Sequence, residues 1–173
     1  RASASARRGT TQGFETTTQK VPDDPSTRGR EATTMERTAA LESWVKTLAV
    51  DKSVRGMKTE GVLASGGAPA AALIARVARA IVEEDGGHAS PKACAAGDEW
   101  AQARSLARKF SEAAYERWPA SKSPSGAEAS AAVEILLYCA ACCDKSSKRG
   151  AYIQRILRLP QQQQRQLMGA MKA

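Results

Sequence analysis

The chain has 173 residues, 42% of them apolar, and a formal net charge of +8. That length suits one domain plus an extension. No stretch reaches the ~20 apolar residues a membrane-spanning helix needs: the best run, Ala129–Cys143, is short and contains Glu134, and the run after Pro69 is broken by Arg76 and Arg79. The positive charge collects at the two ends. Residues 145–173 carry seven basic side chains and no acidic one, residues 1–30 carry six basic and three acidic, and the stretch between is near neutral. Such a distribution speaks to what a chain touches more than to a reaction.

Residues 1–33 are expected to form an extended basic arm. They hold Pro22, Pro25 and three glycines, and almost no large apolar side chain except Phe14 and Val21, so nothing there nucleates a core. About 30 extended residues reach on the order of 100 Å, enough to cross a neighbouring subunit. The opening is rich in Arg, Ser, Ala and Thr, includes Arg7 and Arg8, and has no acid before Glu15. This is the composition of an organelle transit peptide or of the residues flanking its cleavage site. The first residue being Arg and not Met, the chain is read as processed or as a fragment. The expected location is mitochondrial, with the plastid as the alternative.

Residues 34–173 read as a helical domain. A first helix is predicted from Thr33 or Thr34, where Thr33-Thr34-Met35-Glu36 has capping-box spacing, with Leu41, Trp44, Val45 and Leu48 on one face. Gly61 to Pro69 reads as a flexible linker before an ordinary helix start. Its backbone N–H groups are a candidate anion cradle, but the Lys-Ser/Thr of a nucleotide loop is lacking. A second helix opens at Pro69 with the stripe Leu73, Ile74, Val77, Ile81 and Val82, and ends at Gly86-Gly87. A third runs from about Asp98 to Trp118, stopped by Pro119.

The fourth starts at Ser125-Gly126-Ala127-Glu128, a second capping box. It is apolar nearly all round apart from Glu134, which predicts a central position. The fifth covers about Ser147–Leu159, with Tyr152, Ile153, Ile156 and Leu159 inward. Pro160 breaks it, and Gln161–Met171 forms a short sixth. With no strand alternation and no repeat of fixed period, the fold class is all-α: a five- or six-helix, Ala-rich bundle behind an extended N-terminal arm.

Catalytic motifs are absent. His88, the lone histidine, is read as an exposed loop residue, since no nucleophile-elbow signature accompanies it. Cys139, Cys142 and Cys143 share part of one helix surface. With Cys94 and His88 they are candidate metal ligands, but mid-helix among Ala and Leu they are read as small buried hydrophobes. Glu83, Glu84 and Asp85 are read as a solvated helix end. No cofactor and no metal is expected, and four cysteines without a disulfide framework fit a reducing compartment.

The basic C-terminus is the strongest functional feature. Lys145, Lys148, Arg149, Arg155, Arg158 and Arg165, together with Arg7 and Arg8, are the expected partner- or phosphate-contacting residues. Lys148, Arg155 and Arg158 fall on one flank of the fifth helix, free for a partner. No aromatic reader motif accompanies them, so nucleic-acid contact would be to backbone and not to bases. The expected function is a non-enzymatic accessory subunit of a large organellar multiprotein assembly, binding other subunits, with peripheral membrane contact as a further option. The alternatives are an organellar ribosomal protein meeting rRNA phosphates and, third, a filament-forming coat or nucleoprotein.

Overall fold

A computed structural model describes residues 25–48, 58–86 and 98–172, with side-chain surroundings from residue 33 onward. These residues form eight helices and no strand: α1 Pro25–Leu48, α2 Val62–Ser65, α3 Gly67–Glu84, α4 Glu99–Phe110, α5 Glu112–Glu116, α6 Gly126–Cys142, α7 Arg149–Leu157 and α8 Gln161–Lys172. The all-α class is as expected. The helix count is higher, because the sequence hides one helix turn and one break.

The hidden turn is α2. Gly61 and Gly66 take positive φ of 71° and 69° on either side of it, which an L side chain resists. Between them Val62–Ser65 closes a single turn that buries Leu63 completely. The stretch read as a flexible linker is therefore ordered, and its amides already hold an anion of their own. The Glu42 carboxylate of α1 accepts from the backbone N–H of Gly61 at 3.1 Å and of Leu63 at 3.2 Å.

The hidden break is at Ser111. Its backbone is extended (φ −157°, ψ 130°), and its hydroxyl accepts from Ala114 N. Serine competes with the helix for backbone partners and caps well, so the predicted third helix becomes α4 and α5. Trp100 of α4 and Trp118 after α5 then pack ring to ring, with centroids 5.1 Å apart. The guanidinium groups of Arg104 and Arg108 lie 4.2 and 4.7 Å from the Tyr115 ring centroid.

Helix α1 begins at Pro25 and not at Thr33 or Thr34. Proline is preorganised for a first helical turn, and Gly29 alone costs a helix only about 1 kcal/mol. The arm expected over residues 1–33 thus loses its last nine residues to α1; residues 1–24 lie outside the described part.

Helix α6 is the hub, packing against α1, α2, α3, α4, α7 and α8. Its capping box forms as read: Ser125 Oγ accepts from Glu128 N at 3.3 Å, and Glu128 Oε2 accepts from Ser125 N at 2.8 Å. Glu134, the charged group on its apolar length, meets Arg37 of α1, whose Nη2 donates to Oε2 at 2.7 Å and whose Nε contacts Oε1. Thr38 and Ser130 pair one helix turn away at 3.1 Å. The core expected from sequence, including Leu41, Trp44, Ile74, Trp100, Phe110, Trp118, Leu136 and Ile156, is buried. Ile153 is the exception.

Candidate interaction surface

Helices α7 and α8 form a hairpin turned by Arg158, Leu159 and Pro160. Gln164 fastens the turn: its Nε2 donates to the carbonyls of Leu157 at 3.0 Å and Leu159 at 2.7 Å, which would otherwise be open at the end of α7. The hairpin is seated by the acidic end of α3. Asp85 Oδ1 accepts from Ser147 Oγ and from Lys148 N, both at 2.9 Å. It thereby caps α7 from a distant part of the chain, placing negative charge where the helix dipole favours it. Glu84 takes the Arg155 guanidinium through two bonds, 2.7 and 2.8 Å.

These contacts correct two expectations. Glu84 and Asp85 are not a solvated helix end but the clasp for α7. Arg155 is not free for a partner: it is about one-fifth exposed, paired with Glu84, and stacked 5.2 Å from the Tyr152 ring centroid. The reason is rotational. α7 turns Tyr152 and Ile156 fully into the core. Arg155 then falls on the α3 side, and Ile153, about 100° from Tyr152 around the helix, faces out at 39% exposure.

The other expected contact residues divide as follows. Lys145, Lys148, Arg149, Arg158 and Arg165 are exposed. Arg149 reaches Asp144 at 3.3 Å, while Lys145, Lys148, Arg158 and Arg165 make no ion pair with a described acidic side chain, and neither does Lys172 at the end of α8. Arg7 and Arg8 lie outside the described residues. Sequence reasoning missed the apolar side chains that accompany these cations: Ile153, Leu157 at 54% exposure and Met168 at 48%. Ile153 and Leu157 stand one turn apart on α7. On α8, Gln161, Gln164, Arg165, Met168, Gly169 and Lys172 line a shallow groove of about 440 Å³. Exposure at Met168 and Leu157 was readable only once the rotation of each helix was known.

Cys139 and Cys143 are buried. Burial pushes the thiols of Cys139, Cys142 and Cys143 upward, which keeps them protonated at neutral pH. Among the described residues no three His, Cys, Asp or Glu side chains converge on a position for a metal ion. His88 and Cys94 lie outside the described residues. Burial raises the Glu134 carboxyl above its ordinary range, against the pull of Arg37 and Arg117. A cavity of about 190 Å³ beside it is lined by Arg117, Tyr138 and Met171 among others. No described helix is long and apolar enough to cross a membrane. The chain matches no protein-family model, no curated protein and no solved structure.

Proposed function

We propose that this chain is a non-enzymatic accessory subunit of a large multiprotein assembly, mitochondrial or else plastid, that grips its neighbours through its N-terminal segment and its basic C-terminal helices. The observation that carries the reading is the exposed basic charge of the C-terminal segment, which contains no acidic residue. Glu42, Glu84, Asp85 and Glu134 are engaged within the fold. Lys145 and Lys148, just before α7, and Arg158, Arg165 and Lys172 on the hairpin remain exposed without an acidic partner among the described residues. A surface of one sign beside a near-neutral body attracts and orients an oppositely charged partner. The acid-free, Arg- and Ser-rich composition before Glu15 supports the organellar placement.

The test is incorporation. Arg158→Glu and Arg165→Glu together should shift the tagged chain, in extracts of its native organelle, from a heavy gradient fraction to a light one while its circular dichroism stays unchanged. Unchanged sedimentation of the double variant would refute the reading. Ribonuclease-sensitive sedimentation would move it to the ribosomal alternative.

A further inference from the structure

Gly169 lies in the last turn of α8 and is exposed, and a methyl group built on its Cα would meet no atom of the described residues within 4 Å. Glycine inside a helix costs about 1 kcal/mol relative to alanine. At Gly126, the first residue of α6, the fold itself requires the missing side chain, because a Cβ there would sit 2.1 Å from neighbouring backbone. Nothing within the described chain requires it at Gly169. A position that opposes its own helix without an internal reason points outward. The surroundings fit an external surface in close approach. Gly169 is flanked on the solvent side of α8 by Met168, Arg165 and Lys172, all in the same shallow groove, and the segment from residue 145 onward has no acidic side chain to oppose an anionic partner.

We propose that this face of α8 docks an acidic, amphipathic helix of another protein. The partner's backbone lies closest at Gly169, its apolar stripe rests on Met168, and its carboxylates meet Arg165 and Lys172. This rests on the reading of the chain as an assembly subunit and names the chemistry of the neighbour. Helix-in-groove recognition requires an apolar anchor and room for the incoming backbone, and a missing side chain supplies that room. RNA is the poorer fit, since long basic side chains reach phosphates without a backbone gap, and an exposed Met168 gains nothing from a phosphate. A lipid surface is the poorer fit as well. It deforms around side chains and is held by buried apolar area plus charge, for which an alanine or leucine at position 169 serves better than glycine.

The test uses the full chain and a designed helical probe of about 21 residues, long enough to hold a helix, with a Leu/Ile stripe flanked by Glu. Its controls are the same residues scrambled and the same stripe flanked by Lys. Binding is read by fluorescence anisotropy. The acidic amphipathic probe should bind at least about tenfold tighter than either control, and Met168→Glu and Gly169→Leu should each weaken it about tenfold. Gly169→Ala should raise the melting temperature while weakening the probe several-fold, opposite signs that a merely structural glycine would not give. Equal affinity for the scrambled peptide overturns the proposal. So does undiminished binding by a folded Gly169→Leu variant, or tighter binding to phosphatidylserine vesicles or a U-rich RNA than to the probe. If the probe fails while the Arg158→Glu/Arg165→Glu variant still leaves the heavy fraction, the subunit reading stands and the helical partner falls.

Discussion

Arg155 and Glu84 face each other across 71 positions of sequence, with Nη1 donating to Oε2 at 2.8 Å and Nη2 to Oε1 at 2.7 Å. Both side chains are only about a quarter exposed. The pair ties α7 to the end of α3, and Asp85 caps α7 one residue further on. The clasp adds a polar tie to a hairpin whose Tyr152, Ile156 and Leu167 are already buried in the core. The basic residues thus divide: Arg155 is paired within the fold, while Arg158 and Arg165 are exposed without an acidic partner among the described residues.

Replacing either partner should destabilise the protein. Arg155→Ala or Glu84→Ala is expected to cost about 1–3 kcal/mol, because each leaves a partly buried charge without its partner. The double variant should cost less than the sum of the singles. Urea unfolding of the four proteins measures the coupling. Additive losses would mean that the pair is no more than a surface contact.

Asp85→Ala should cost about 1 kcal/mol, the usual loss on removing a helix cap, and the loss should concentrate in α7. Amide hydrogen exchange at the first turn of α7 should quicken before that of α6. Uniform loss of protection would show that α7 does not depend on this carboxylate for its start.

Much of this was legible in the sequence, and the exceptions share a cause. The stripe of α3, the capping box at Ser125 and the break at Pro160 are local signals, read from residues within four positions of one another. The arm's boundary failed where propensity differences between a Pro25 start and a Thr33 start are small. Ser111 carried a usable signal, a capping serine followed by glutamate, outweighed by the continuous apolar face around it. The clasp carried none: that Asp85 caps a helix beginning 64 residues later is a tertiary fact. So is the rotation of α7, which sends Arg155 inward and Ile153 outward although each lies within a third of a turn of a buried neighbour.

Stability should fall with rising pH just above the ordinary carboxylate range because of Glu134. Burial raises its folded-state pKa despite Arg37. Between the unfolded and folded values the native state therefore holds a proton that the unfolded chain has released, and rising pH favours unfolding across that interval. Urea midpoints from about pH 4 to pH 6 should fall more for the wild type than for Glu134→Gln, which cannot ionise. A parallel course for both proteins would mean that Arg37 fully offsets the burial.

Gly126→Ala should be among the most damaging single-methyl changes in the chain. The new Cβ would lie 2.1 Å from the Ala64 carbonyl oxygen and 2.9 Å from its carbon, backbone atoms at the end of α2. Those atoms have little room to retreat. α2 is held on its other side by Glu42 through the amides of Gly61 and Leu63, and Gly67 N donates to Pro124 O at 2.6 Å just beside the contact. Relief therefore requires moving α2 off α6 or shifting the capped start of α6 itself. Overpacking of a fixed contact costs typically about 1–3 kcal/mol and occasionally more; with backbone on both sides, the upper part of that range is expected, opposing the small gain in helix propensity from alanine. Thermal denaturation followed by circular dichroism would read the loss. A melting temperature equal to or above that of the wild type would mean that α2 does not pack against the start of α6, and with it would go the ordered turn that distinguishes this fold from a bundle with a loose linker.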